Sequence, residues 1–250
     1  MNERNSTLPE REPQPRMIEK LYVIDFDRCL GNVDAVVRLA REAALTAGVD
    51  TASMEAAQHE IEASKGSFNL AGWVRDNYSP EVFDAFIANY LTLEFDVDSL
   101  LEPGAREFLD QLIQNDIPFM IMTTGGDIWQ NVKLQRAGLA DMPTMVTPLK
   151  EKGTEIASWQ GERSLSGFQV PEAVAGDEVL LTREVILIDD KAVSFAGLPK
   201  ENAHGYAIQH HSDEVKQSQE GELPSNVSRV TSFAQIAKLE GMQPLQQKAA

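Results

Sequence analysis

Leu21-Tyr22-Val23-Ile24-Asp25-Phe26-Asp27-Arg28-Cys29-Leu30-Gly31-Asn32 is the stretch on which the fold turns. Its first four residues are apolar and partly β-branched, which predicts a short strand buried on both faces. The run stops in two aspartates, and Gly31-Asn32 closes it as a turn. Two later stretches repeat the plan. Residues 117–122 end in Thr123-Thr124-Gly125-Gly126, and Val185-Ile186-Leu187-Ile188 ends in Asp189-Asp190. Residues 144–147 and 206–208 predict two shorter strands.

Helical periodicity fills the intervals. Pro103 is expected to open a helix, where its missing N–H costs nothing; Phe108, Leu109, Leu112 and Ile113 are its expected buried face. Further helices are predicted over 127–137, stopped by Gly138, over 152–159 and over 232–239. Strands alternating with helices argue an α/β fold with a parallel sheet, and such sheets gather ligands at the carboxyl ends of their strands.

Residues 33–98 break the alternation. Val33, Val36, Val37, Ala40 and Ala44 recur at helical spacing, as do Val82, Phe83, Phe86, Ile87, Tyr90 and Leu91. No strand is expected here, so the stretch reads as an all-helical insert. It carries 12 acidic and 4 basic side chains, a net of 4 − 12 = −8.

Composition bounds the function. The 250 residues are 42% hydrophobic, enough for one core domain with a smaller insert. The net charge of −17 disfavours nucleic acid and anionic membranes as partners. No apolar run approaches the roughly 18 residues of a membrane span. Residues 1–16 and 241–250 are polar and read as tails, the first without the apolar region of a secretory signal. The single cysteine, Cys29, excludes an internal disulfide and fits a reducing cytoplasm. Oligomeric state is not legible.

In a parallel sheet, Asp25, Asp27, Thr123, Thr124, Gly125, Asp189 and Asp190 would collect at one edge. Clustered carboxylates are unfavourable without a cation, and hard oxygen ligands suit Mg²⁺. A lysine lies between the second and third strands, either Lys150 or Lys152; Lys152 precedes Gly153 at a helix start. His210-His211 sits in a polar stretch and reads as surface. Gly176-Asp177-Glu178 follows no apolar strand and is set aside.

This order of motifs resembles the haloacid dehalogenase-like hydrolase superfamily over residues 20–240. Its first motif, Asp-x-Asp-x-Thr/Val, is matched by Asp25-Phe26-Asp27-Arg28-Cys29. Cys29 departs from the pattern and is expected to act as a small packing residue. The lead-in Leu101-Glu102-Pro103-Gly104-Ala105 is similar too. The resemblance implies a Rossmann-like parallel sheet with helices on both faces, with a core of 17–32 and 99–240 and a helical cap of 33–98. Gly31-Asn32 and Val97-Asp98 would be its hinges, and Phe68, Trp73 and Tyr78 would form the cap's own core or face substrate.

It also implies roles. Asp25 would be the phosphoryl-accepting nucleophile and Asp27 the general acid and base. Thr123, with Thr124 and Gly125 beside it, would cradle the phosphoryl group, and Lys152 would offset its charge. Asp25, the Asp27 carbonyl, Asp189 and Asp190 would hold Mg²⁺. The implied function is a Mg-dependent phosphatase acting on a small phosphorylated metabolite. A phosphomutase of the same family and a non-catalytic binding protein are the alternatives. Asp27 argues against dehalogenation. The insert's charge favours a monophosphate with a neutral or cationic remainder.

Overall fold

A computed structural model describes residues 15–63, 68–148, 151–161, 167–210 and 222–242. Seven strands form one sheet: β1 (Arg16–Ile24), β2 (Phe119–Thr124), β3 (Thr144–Thr147), β4 (Phe168–Gln169), β5 (Leu180–Asp189), β6 (Ala203–Ile208) and β7 (Val227–Val230). The order is β3-β2-β1-β5-β6-β7, all parallel, with β4 pairing antiparallel to β5. The chain builds from β1 outward through β2 to β3, then returns to the other side of β1 to lay down β5, β6 and β7. Strand order therefore reverses at β1, which makes its carboxyl end the natural crevice for a ligand.

Both faces of the central strands are covered, as the unbroken apolar runs predicted. Tyr22, Ile24, Ile121, Ile186 and Ile188 pack into one cluster with Phe108, Leu112, Phe233 and Ile236. Leu21, Val23, Met120, Met122, Val185 and Leu187 pack into a second with Ile156, Trp159, Phe195 and Phe168. Each fully buried aliphatic side chain contributes about 1.5–3 kcal/mol. The first face carries α5 (Ala105–Gln114), α6 (Asp127–Arg136) and α9 (Phe233–Leu239); the second carries α7 (Lys152–Ser158). A one-turn α8 (Glu172–Ala175) precedes β5.

Four expectations are corrected. Arg16, assigned to the tail, begins β1 and pairs with Leu180. Helix α5 starts two residues after Pro103: Gly104, with φ of 80°, takes the N-cap position, and its left-handed backbone keeps Pro103 out of the helix. On that helix Phe108, Leu109 and Leu112 are buried, but Ile113 is exposed. On the first insert helix Val36, Ala40 and Ala44 are buried, whereas Val37 is exposed.

Residues 33–98 form α1 (Val33–Thr46), α2 (Thr51–Ala63), α3 (Leu70–Asn77) and α4 (Pro80–Thr92), then a 3₁₀ turn at Asp98–Leu100, with no strand among the described residues. Asn32 caps α1 by accepting from the Ala35 N–H. The chain leaves and re-enters the sheet side by side. The Asn32 N–H donates to the Leu100 carbonyl at 2.9 Å, the Glu102 N–H to the Leu30 carbonyl at 2.8 Å, and Gly31 bridges Leu101.

Upstream of the aspartates, on the α9 face, Glu240 joins helix to sheet. Its carboxylate accepts from Lys20 Nζ (2.6 Å), Tyr22 OH (3.1 Å) and Tyr206 OH (2.6 Å), and its Oε1 lies 2.9 Å from His204 Nε2. The other ring nitrogen of His204 lies 3.0 Å from Glu184 Oε1.

Candidate active site at the carboxyl edge of the sheet

The sheet register brings the predicted groups together. β1 ends against Ile121 of β2 and Ile188 of β5, so Asp25, Thr123 and Asp189 emerge on neighbouring strands. The Asp25 N–H donates to the Ile188 carbonyl at 2.9 Å, extending the ladder to the carboxyl edge of the sheet. A tight turn follows. The Gly31 N–H donates to the Phe26 carbonyl and the Arg28 N–H to the Gly31 carbonyl, with Arg28 at φ of 65°. A Cβ on Gly31 would come 2.8 Å from the Phe26 ring, so a larger residue there would have to displace that buried ring.

Ligand oxygens of Asp25, Asp189 and Asp190 lie within 4.8 Å of one another, and all three residues are buried. Lys152 Nζ donates to Asp25 Oδ1 and, at 2.7 Å, to Asp189 Oδ2. Asp25 Oδ2, both oxygens of Asp190 and the Thr123 hydroxyl are buried without a hydrogen-bond partner among the described residues. Buried polar atoms left unpaired are unfavourable by roughly 1–3 kcal/mol each. Their convergence fits a cation beside Asp25 and Asp190 and a hydrogen-bond acceptor beside Thr123.

The electrostatics follow from crowding. Burial raises the Asp25 carboxyl to about 6, against the pull of the Lys152 ammonium. Burial and the neighbouring Asp189 raise Asp190 to about 8. Burial opposes the charge on Lys152, but Asp189 and Asp25 outweigh it and hold the ammonium above its ordinary range. Carboxyls pushed up this way are what a bound divalent cation would reverse.

Lys152 reaches the cluster because Gly153 lets α7 approach closely: a Cβ there would meet Leu198 N at 2.5 Å and Ala196 O at 2.6 Å. Lys150 lies outside the described residues, as does His211. Thr123 is buried and Thr124 half-buried, with the Thr124 carbonyl accepting from Gln130 at 2.8 Å. Gly125 has φ of 147°, and a Cβ there would come 2.7 Å from Gln130 Nε2. Cys29 is buried, its thiol raised by burial and directed to the Ile188 carbonyl at 3.7 Å. His210 is half-buried rather than a surface group: its Nε2 lies 3.0 Å from the Cys29 carbonyl.

Sequence reasoning missed two residues of α6. Lys133 Nζ lies 2.5 and 2.7 Å from the two oxygens of Asp27, and Gln130 Nε2 donates to Asp27 Oδ2 at 3.0 Å. Burial works against the Asp27 charge, but the Lys133 ammonium prevails and holds the carboxyl below its ordinary range. Nothing local marks these residues, because the contact spans more than a hundred positions. The insert also reaches this helix. Trp129 stacks edge-on against Tyr90 of α4 at 4.9 Å, and Arg136 donates to the Leu91 carbonyl at 3.0 Å and to that of Leu93. Asn69, the N-cap of α3, sits where a Cβ on Gly126 would be, 2.2 Å from Asn69 Nδ2. Trp73 packs with Phe68 and Tyr78 inside the insert.

No protein-family model and no curated protein matches the sequence. Solved structures do. One, from Burkholderia xenovorans and described as a haloacid dehalogenase-like hydrolase, superposes with a TM-score of 0.61 at 16% identity, covering 91% of this chain and 98% of that one. Another, from Thermotoga maritima and described as a β-phosphoglucomutase, gives 0.50 at 17% identity, covering 90% and 99%. The chain has the haloacid dehalogenase-like fold: a Rossmann-like parallel sheet wrapped by helices. Among the described residues, no helix is long and apolar enough to cross a membrane.

Proposed function

We propose that this protein is a phosphatase that hydrolyses a small phosphomonoester through an aspartyl-phosphate on Asp25. The observation that carries the reading is the Asp25 carboxylate itself. One oxygen is held by Lys152, while the other is buried, without a partner among the described residues, and beside Asp189 and Asp190.

In the first step Asp25 Oδ2 attacks phosphorus, the bond to the ester oxygen breaks, and Asp27, which takes up a proton from solvent as the phosphate dianion binds beside it, gives that oxygen the proton. In the second, Asp27 takes a proton from water as the water attacks phosphorus, and phosphate leaves Asp25 free. Thr123 donates its hydroxyl hydrogen to the phosphoryl oxygens, and Lys152 offsets their charge, as phosphoryl transfer requires. Asp25, Asp189 and Asp190, with the Asp27 carbonyl, would hold Mg²⁺, which when bound neutralises charge on the phosphoryl oxygens. Residues 33–98 act as the cap that excludes water and selects the substrate; the packing of Trp129 on Tyr90 and of Asn69 on Gly126 supports that placement.

The test is phosphate release from p-nitrophenyl phosphate and a metabolite panel, with and without Mg²⁺. Magnesium-dependent turnover that vanishes in Asp25→Asn is the expected result. Turnover surviving that substitution would refute the nucleophile. Turnover that requires a sugar bisphosphate activator would point instead to a mutase, the activity in the Thermotoga protein's description.

A further inference from the structure

Two buried polar atoms on the Asp27 side of the site take no part in the reaction above. One is the Tyr90 hydroxyl on α4, fully buried and without a hydrogen-bond partner among the described residues. Its ring stands edge-on to Trp129 at 4.9 Å, and the Lys133 ammonium that holds Asp27 lies 5.8 Å from the same indole. Phe86, one turn earlier on α4, packs on that indole at 6.0 Å, so packing alone requires no hydroxyl there. Burial lifts the Tyr90 phenol above its ordinary range, and the carboxylate whose charge adds to the rise is Asp27. The other atom is Gln130 Oε1, buried and also without a partner among the described residues. The amide cannot turn over to find one. Its Nε2 donates to Asp27 Oδ2 at 3.0 Å and to the Thr124 carbonyl at 2.8 Å, so the reversed amide would set its oxygen against two acceptors. The insert thus brings a hydroxyl, and α6 an acceptor, to the carboxyl that serves the leaving alcohol. Buried polar atoms are unfavourable until something pairs with them.

We propose that Tyr90 is a specificity-determining residue whose hydroxyl, with Gln130 Oε1, binds a hydroxyl on the alcohol portion of the substrate. That group accepts from Tyr90 and donates to Gln130. The inference rests on the phosphatase reading above and narrows its substrate to the phosphomonoester of a neutral polyol. A site built to hydrogen-bond a hydroxyl rejects the analogue that lacks it, because its own polar groups are then left buried and unpaired. Tyr90 belongs to the insert and Gln130 to the sheet's own helix, so the hydroxyl is read only where the insert seats on α6.

The measurement is kcat/KM for phosphate release in Mg²⁺. The substrates are the monophosphates of glycerol, erythritol and sorbitol, each paired with that of propanol, butanol or hexanol, and p-nitrophenyl phosphate serves as the check on the phosphatase reading. Wild type should favour at least one polyol ester over its alkyl partner. Tyr90→Phe removes a single oxygen and should cut that preference by about tenfold, as the loss of one hydrogen bond does, while leaving the alkyl ester nearly untouched. Its thermal midpoint should stay at or above that of wild type, because the lost hydroxyl had no partner in the free protein. Equal losses on both esters of a pair, or a lowered midpoint, would give the hydroxyl a partner inside the protein and overturn the proposal. A wild type that favours no polyol ester but turns over p-nitrophenyl phosphate overturns it too and leaves the phosphatase reading intact. No release from any of these esters counts against that reading, and the proposal falls with it.

Discussion

Replacing Glu240 with alanine should unfasten α9 from the sheet. Its carboxylate is 5% exposed and serves Lys20, Tyr22, His204 and Tyr206 together. The Lys20 pair contributes little, because the lysine is 40% exposed and screened by water. The two phenols and the histidine matter more. Hydrogen bonds to a charged group are worth about 1.5–3 kcal/mol each, and they do not add when the donors share one acceptor. Breaking a buried ionic arrangement by removing one member costs about 3–5 kcal/mol. We therefore expect Glu240→Ala to lose about 4 kcal/mol, lowering the thermal midpoint by roughly 8–16 °C for a chain of this size.

The pH dependence gives a second handle. His204 faces a carboxylate from each ring nitrogen, so only the doubly protonated ring donates to both. Its hydrogen bond to Glu240 raises its pKa against the effect of burial, with Glu184 adding to the rise. The folded pKa thus lies above the unfolded value of about 6.5. The stabilisation is complete below that value and fades as pH rises through the folded pKa. Chemical denaturation at pH 6 and pH 9 is the assay. A loss under about 1 kcal/mol at pH 6, or a loss as large at pH 9 as at pH 6, would refute the argument.

Further outcomes follow from the site and core. Mg²⁺ at 100 times its dissociation constant should raise wild-type stability by about 2.7 kcal/mol, and thermal scans of Asp190→Asn should show a much smaller rise. Gly153→Ala forces a Cβ onto the backbone at Ala196 and Leu198; we expect a destabilisation above about 1 kcal/mol, with turnover lost alongside because Lys152 is displaced. Leu112→Ala should cost about 2–5 kcal/mol, whereas Ile113→Ala, next to it on the exposed side of α5, should stay within about 0.5 kcal/mol. Urea titrations of the pair would separate them.

The strands that could be read most plainly were those buried on both faces, although the half-buried edge strand β3 was also legible over Thr144–Thr147. β1, β2 and β5 announce themselves because no alternation is needed where helices cover both sides, and the aspartates and threonine that end them are abrupt changes of chemistry. β7 carries Ser228 and Arg229 on an exposed edge, so it lacks the apolar run, and the two-residue β4 is too short for any periodicity. Lys152 was legible because Gly153 and a helix start flank it. Lys133 was not: along α6 it looks like any basic residue in a last turn, and only the fold brings Asp27 to it. The exposure of Ile113 and Val37 reflects the same limit, since periodicity gives the angle of an apolar stripe but not how far the neighbouring element extends over it.

The two chain crossings at Gly31–Asn32 and Leu100–Leu101 separate the molecule into parts that need not have arisen together. Because the ends of the excursion are already hydrogen-bonded neighbours, joining Gly31 to Leu101 through a short turn would leave every strand register untouched, and closing so small a gap adds little chain entropy. The helical excursion is in this sense a guest in a loop position. What ties it to its host is the α6 surface around Trp129 and Arg136. A different set of helices could be grafted at the same two residues provided it re-covered that surface, and an excised version would need Trp129 replaced by a polar residue to remain soluble.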